Sequence, residues 1–186
     1  MADFSTVRRL PLDGQTPPAG SAVTLAAVPP MARFVLRART AAPAEAALGM
    51  ALPLQACRAA TGPTGTALWQ GPDEWLLLWP ESHAAALPAA LADAMGAQPF
   101  SLVDVSHRQS GLVIAGPHAA DALNSGVALD LTAEAFPTGM CTRTLLGKAD
   151  ITLWRTGAGS FHIEAWRSFL PYVWQFLVEA SRDYSA

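Results

Sequence analysis

The chain has 186 residues, 51% hydrophobic and 15% charged, enough apolar side chain to bury a substantial core in one large domain or two small ones. A net charge of -3 with a single lysine, Lys148, excludes the clustered positive face that nucleic acid needs. Cys57 and Cys141 are too few for a disulfide framework or a zinc site, so both read as small core residues of a cytoplasmic protein, and no run approaches the roughly 20 apolar residues that would span a membrane.

Residues 1–30 are broken by Gly14, Pro17, Pro18, Gly20, Pro29 and Pro30 and read as an extended N-terminal arm, either wrapping a partner or left as a disordered tail. Within it Arg8-Arg9-Leu10 mimics a twin-arginine export signal. Pro11, Asp13, Pro17 and Pro18 interrupt the apolar segment that should follow, so export is not expected.

Ordered patterning starts at Met31. Phe34, Leu36 and Ala38 alternate with Arg33, Val35, Arg37 and Arg39, predicting a half-buried strand with a basic outer face. Pro43 opens a short alanine-rich helix over 44–50 that Pro53 stops. After a loop at 62–65, the apolar runs 67–70 and 75–79 flank Gly71-Pro72-Asp73-Glu74, which predicts a hairpin. A helix follows over about 83–95, ended by Gly96.

The stretch 100–117, FSLVDVSHRQSGLVIAGP, reads as two strands joined by a tight polar turn. Pro117, Ala119, Ala120 and Leu123 then predict a short helix stopped by Gly126. Residues 130–139 are expected to be irregular or a single helical turn, and 143–146, 150–155 and 160–166 to be strands, the last two joined by 156–159. Ser168 is placed to cap a final helix. These elements describe an α+β protein: mixed, largely antiparallel sheets with helices packed on one side. One domain over 31–182 divides into two similar βαββα-like halves, about 31–98 and 99–182, with a tail at 183–186.

Three groups of residues invite a chemical reading. Asp104, Ser106 and His107 have the residue types of a nucleophilic triad, but a strand sends Ser106 and His107 to opposite faces, which forbids the serine-to-imidazole hydrogen bond. In the final helix Phe169, Leu170, Val173, Trp174, Phe176, Leu177 and Val178 spread over an arc of roughly 200°, about twice what docking on one core requires. That helix is either sunk in the domain or covered by a partner. The six tryptophans suit an interface centre or a core equally.

Several short motifs agree jointly with one family. Gly71-Pro72-Asp73-Glu74-Trp75-Leu76-Leu77-Leu78, Asp104-Val105-Ser106-His107-Arg108, Gly116-Pro117-His118-Ala119-Ala120, Leu129-Asp130-Leu131, Phe136-Pro137-Thr138-Gly139 and Trp166-Arg167-Ser168-Phe169 have the order and spacing of gamma subunits of heterotetrameric sarcosine oxidase. The resemblance covers most of residues 31–182. That family resembles part of the folate-binding aminomethyltransferase fold of the glycine cleavage T-protein. The resemblance implies a bacterial alpha-beta-gamma-delta oxidase that demethylates sarcosine to glycine, forming hydrogen peroxide and 5,10-methylenetetrahydrofolate. Gamma would be the small partner of the alpha subunit, with FAD, FMN, NAD and tetrahydrofolate bound by other subunits.

The residues agree with that division of labour. No Gly-x-Gly-x-x-Gly fingerprint or phosphate loop is present, so no cofactor is expected in this chain. Where the aminomethyltransferases carry paired aspartates, this sequence has Ala149-Asp150, one carboxylate short. No catalytic or metal-binding residue is therefore expected: His83 and His118 start helices without a second ligand nearby, and His162 reads as a hydrogen-bonded, partly buried histidine. A partner interface is expected at Trp166, Arg167, Phe169, Val173 and Trp174, with Arg167 able to pair bidentately with a carboxylate. His107 and Arg108 are expected either there or on a solvated turn. The alternative is a free-standing folate-binding or aminomethyltransferase-like protein. Isolated, the chain is expected as a monomer or homo-oligomer.

Overall fold

Period-two alternation decides which side chain meets which layer. In strand β5 (Glu74–Pro80) Trp75, Leu77 and Trp79 point one way and Leu76 and Leu78 the other, and all five are buried, so the strand is covered on both faces. It pairs with β4 (Thr66–Gly71) through a two-residue turn at Pro72-Asp73, as the sequence predicts. The computed structural model describes residues 10–17 and 21–184.

Two five-stranded antiparallel sheets result. The first has the order β3 (Ala59–Thr61), β4, β5, β2 (Met31–Ala38), β6 (Phe100–Asp104). The second has the order β1 (Thr24–Ala27), β7 (Gln109–Ala115), β10 (Ser160–Trp166), β9 (Ala149–Gly157), β8 (Cys141–Leu146). Helices α1 (Ala41–Leu48) and α3 (Leu87–Met95) cover the outer face of the first sheet through Leu48, Leu91, Met95, Trp75 and Leu77. Helices α4 (Ala119–Asn124) and α5 (Leu170–Ala180) cover the second through Leu123, Val173, Trp174, Phe161 and Ile163. Leu68, Leu76 and Leu78 of the first sheet meet Cys141 and Trp154 of the second, so the inner faces pack together. The α+β class and the two-half plan stand, with both sheets antiparallel throughout.

The stretch 100–117 is not a hairpin. β6 pairs with β2 in one sheet and β7 pairs with β1 and β10 in the other. Asp104 causes the exit: its Oδ1 accepts from the Ser106 backbone N–H at 2.8 Å and from Ser106 Oγ at 2.5 Å, while the Arg108 and Gln109 N–H groups donate to the Val105 carbonyl. An aspartate bonding two residues ahead closes a turn by itself, and the neighbouring strands decide where the chain goes next. The same two bonds hold the Asp104 carboxyl below the usual carboxylate range. The boundary between halves therefore lies at 104–109, later than the expected 98.

The arm is also reassigned. Residues 24–27 form the outer strand of the second sheet, paired with 112–115, and Val23 and Leu25 are buried in its core. Gly116, at φ +131, lets the carbonyl of Ala22 approach where a side chain would collide. Arg8-Arg9 and residues 185 and 186 of the predicted tail lie outside the described residues.

Other boundaries shift for local reasons. The first helix starts at Ala41, carries Pro43 in its first turn and is ended by Gly49 at φ +65 rather than by Pro53. The predicted 83–95 helix is split into α2 (Glu81–Ala84) and α3, because Pro88 cannot continue a hydrogen-bond ladder from upstream. Ser168 caps nothing: α5 begins after Phe169 without a side-chain cap. The basic outer face of β2 fails at Arg33, which is buried.

Candidate partner-binding surface

β10 ends at Trp166, and the chain crosses to α5 within four residues. This crossing concentrates the exposed aromatic surface. Trp166 is 49% exposed and Phe169 42%; Tyr172, also exposed one turn into the helix, packs on Phe176 and accepts from the Lys148 N–H. Arg108 lies across the Trp166 ring with its guanidinium carbon 5.9 Å from the centroid, and the Arg167 N–H donates to the Arg108 carbonyl at 2.8 Å. The turn after β6 and the turn after β10 are thus tied, although 58 residues separate Arg108 from Trp166 in sequence. Pro11, Pro171 and Ser168 complete a groove of about 480 Å³ beside the Trp166 ring.

The structure brings Trp166, Arg167, Phe169 and Arg108 together, with His107 exposed on the adjoining turn. It removes Val173 and Trp174. Both are buried in the second core, Trp174 at 2% exposure, because α5 turns them toward the sheet. The wide apolar arc therefore divides: Leu170, Val173, Trp174 and Leu177 belong to the fold, and Phe169 with Tyr172 to the surface. Trp75 and Trp79 are core as well, so the tryptophan count does not measure surface. Tyr172 was not singled out in the sequence, although its spacing of three from Phe169 places the two on one helical face.

Beneath this surface the halves are clamped by charge. Arg33 on β2 donates from Nε to Glu164 Oε2 at 2.6 Å and from Nη2 to Oε1 at 3.0 Å, bridging the two sheets. His162, two residues before Glu164 and on the same face of β10, reaches Oε1 at 2.7 Å. Burial alone would raise the Glu164 carboxyl, but the hydrogen bond and charge of His162 and the Arg33 guanidinium outweigh it and hold the group below its ordinary value. His162 is hydrogen-bonded, as the sequence suggested, and is buried rather than partly buried. The period-two spacing of His162 and Glu164 was the available signal for a shared polar face; their partner 131 residues away was not visible.

Next to the clamp the sheets part to form a cleft of about 310 Å³. Ser106 spends its hydroxyl on Asp104 and the Arg33 carbonyl, so it is no nucleophile poised on His107. Cys141 is inert in the core, its thiol pushed up to about 12 by burial. His118 stacks on Tyr184 and contacts Asp121 at 2.9 Å, a local tie for the end of the chain.

The model of the sarcosine oxidase, gamma subunit family matches residues 36–183. A sarcosine oxidase subunit gamma of Corynebacterium sp. (strain P-1) is 36% identical over 141 residues, covering 75% of this chain and 68% of that protein. That of Corynebacterium sp. (strain U-96) is 35% identical over 170 residues, 89% of this chain and 82% of its own length. A chain of the heterotetrameric sarcosine oxidase from Corynebacterium sp. U-96 superposes with a TM-score of 0.87 at 32% identity, over 96% of this chain and 97% of that one. The aminomethyltransferase T of the Bartonella henselae glycine cleavage system shares the fold, with a TM-score of 0.57 at 15% identity over 83% of this chain and 45% of that one.

Proposed function

The chain belongs to the sarcosine oxidase gamma subunit family, and from that premise we propose that it is a non-catalytic accessory subunit that docks through its Trp166–Phe169 face onto the larger alpha subunit of an alpha-beta-gamma-delta oxidase. The other subunits would hold FAD, FMN, NAD and tetrahydrofolate and oxidise sarcosine to glycine in the cytoplasm. The observation that carries this reading is the end-to-end superposition on a chain of a heterotetrameric sarcosine oxidase. Among the described residues, no group of three or more His, Cys, Asp or Glu could hold a metal, and no helix is long and apolar enough to cross a membrane.

The docking face suits the role. Trp166 and Phe169 offer large rigid apolar area, and Arg108 and Arg167 flank it with guanidinium groups that favour planar carboxylates. Aromatic and arginine side chains carry most of the binding energy at interface centres. Free-standing folate chemistry is less favoured, because Asp150 stands on an exposed strand position beside Ala149 with no second carboxylate at its side.

The test is co-expression with the large subunits of a heterotetrameric sarcosine oxidase and recovery on a tag placed on this chain. The expected result is a yellow complex whose flavin leaves with the large subunits on dissociation. Recovery of the chain alone, with tetrahydrofolate binding detected by calorimetry, would move the assignment to the free-standing reading.

A further inference from the structure

Both of the chain's cysteines lie at one point on the seam between the halves. Cys57 stands in the turn that leads from α1 into β3, the outer strand of the first sheet, and Cys141 opens β8, the outer strand of the second. The two sheets touch there through an isolated antiparallel bridge between Arg58 and Met140. Its flanking hydrogen bonds run from the Ala59 N–H to the Gly139 carbonyl at 2.8 Å and from the Cys141 N–H to the Cys57 carbonyl at 3.0 Å. Cys57 and Cys141, 84 positions apart in the sequence, are therefore cross-strand partners at a hydrogen-bonded step of the ladder.

Partners at such a step have Cα atoms about 5.5 Å apart, inside the range of roughly 4.4–6.8 Å that a disulfide spans. The backbone bond of 3.0 Å holds the two Cα atoms within about 7 Å even though Cys57 departs from extended geometry, at φ +58. The side chains also sense each other, since charge on the Cys57 sulfur works against ionisation of Cys141. The Cys141 Sγ lies 3.8 Å from the Trp69 carbonyl oxygen, on the side of β8 that faces the first sheet.

The two thiols are not equivalent. Cys141 is fully buried beside Leu68, Leu76 and Trp154, and burial pushes its thiol up, so no dissolved oxidant reacts with it directly. Cys57 is partly exposed. Among the described residues it alone, apart from glycines, has a positive φ, a conformation that asparagine or aspartate enters more readily than cysteine. A cysteine held in that conformation and half in solvent is not placed as a small core residue.

We propose that Cys57 and Cys141 form a reversible redox switch, a disulfide made by peroxide that fastens the first half to the second along the β3–β8 seam. The Cys57 thiolate attacks hydrogen peroxide: its sulfur gains an S–O bond, the O–O bond breaks, and the departing hydroxide is protonated to water. The Cys141 sulfur then attacks the sulfur of the Cys57 sulfenic acid. The S–S bond forms, the S–O bond breaks, and the departing hydroxide takes the Cys141 proton as a second water. Two thiols and one peroxide give one disulfide and two waters. This second step needs no solvent access to Cys141, because its reactant is the neighbour across the ladder. A small thiol reverses the switch by exchange at the partly exposed Cys57 sulfur. The pair shares no residue with the docking face and does not depend on the subunit assignment.

Titration with hydrogen peroxide of the purified full chain, first reduced and then freed of reductant, tests it. Thiols counted in denaturant are expected to fall from two to none, the intact mass to drop by two hydrogens, and a non-reducing peptide map to show Cys57 linked to Cys141 within a single chain. Closing so long a loop is expected to raise the melting temperature by at least about 5 °C, and dithiothreitol to return it. Cys57→Ser, a change at the more exposed partner, is expected to keep the Cys141 thiol under the same peroxide with no rise in melting temperature. Cys141→Ala is expected to stop at the Cys57 sulfenic acid, captured by dimedone. Peroxide that leaves both thiols intact in the folded parent, an oxidised Cys57 beside a free Cys141, a bond formed only between two chains, or a bond that leaves the melting temperature unchanged would overturn the proposal.

Discussion

The two sheets are built to one plan and closed in two ways. In the first half the chain runs strand β2, helix α1, the meander β3-β4-β5, then helix α3, and its sheet is ordered β3-β4-β5-β2-β6. In the second it runs β7, α4, the meander β8-β9-β10, then α5, with the order β8-β9-β10-β7-β1. Position for position the orders match. The difference is the fifth strand: β6 follows its helix directly, whereas the matching place in the second sheet is filled by β1 from the far end of the chain. The N-terminal arm is therefore the missing outer strand of the second half, and it ties the start of the chain to its end, with the Ala22 N–H donating to the Tyr184 carbonyl at 2.9 Å.

What joins the halves should matter most. Glu164→Leu leaves Arg33 buried and unpaired, with an expected loss of about 3–5 kcal/mol in urea unfolding. The double change Arg33→Leu with Glu164→Leu is expected to recover a large part of it, because the desolvation of both ions disappears together. Acid sharpens the same contrast. The folded carboxyl of Glu164 is held below the unfolded value of about 4.3, so its contribution is complete above roughly pH 5 and is lost as pH falls through the folded value. Unfolding at a series of pH values is expected to show a steeper loss below pH 5 in the parent chain than in the double variant. Parallel profiles would mean the clamp does not hold the halves together.

Next in size is the contrast within the second half's own helix. Trp174→Ala opens a cavity in the core, with an expected cost of about 3–5 kcal/mol. Trp166→Ala, in the exposed position, is expected to leave the melting temperature of the isolated chain within a few degrees while weakening recovery of the larger subunits at least tenfold. Equal effects of both on folding and assembly would erase the division between core and docking face.

The two fifth strands can be compared in the same way. Leu25→Ala in β1 removes a buried side chain and is expected to cost about 2–4 kcal/mol by chemical denaturation, because the arm is part of the core. A loss below about 0.5 kcal/mol would return the arm to the role of a detachable tail.

How much of this was legible follows from the range of the interactions. Strands 75–79 and 160–166 could be read from apolar runs between turn residues, and the 71–74 turn from Pro72 and Asp73, because those preferences act within a few residues. The stretch 100–117 was misread for the same reason. Asp104 and Ser106 make a turn that looks alike whether the next strand returns to its neighbour or enters another sheet, and only the distant strands β2 and β10 decide. Arg33 looked like a solvated charge because its partner Glu164 is 131 residues away. Of the expected interface residues, the structure leaves Trp166, Arg167, Phe169 and Arg108 at least partly exposed and buries Val173 and Trp174, because an apolar arc does not say which of its sides meets the sheet. The meeting of Cys57 with Cys141 had no sequence signal, since a bridge between sheets shows only in the pairing.

The smallest expected effect is at β6, the counterpart of β1. Its residue Val103 is 51% exposed on an outer strand, so Val103→Lys removes little buried surface and is expected to change stability by less than about 0.5 kcal/mol in urea unfolding. An exposed apolar edge is nevertheless a template for pairing with another chain, and lysine is the usual guard on such edges. The substitution therefore separates two accounts of why the first half leaves its fifth strand bare. If assembly with the larger subunits is unchanged by Val103→Lys and lost with Trp166→Ala, docking belongs to the second half alone and β6 is simply an edge that the fold tolerates. Loss of assembly at Val103→Lys with the fold intact would show that both halves face the partner, the first through its edge strand β6 and the second through the end of β10.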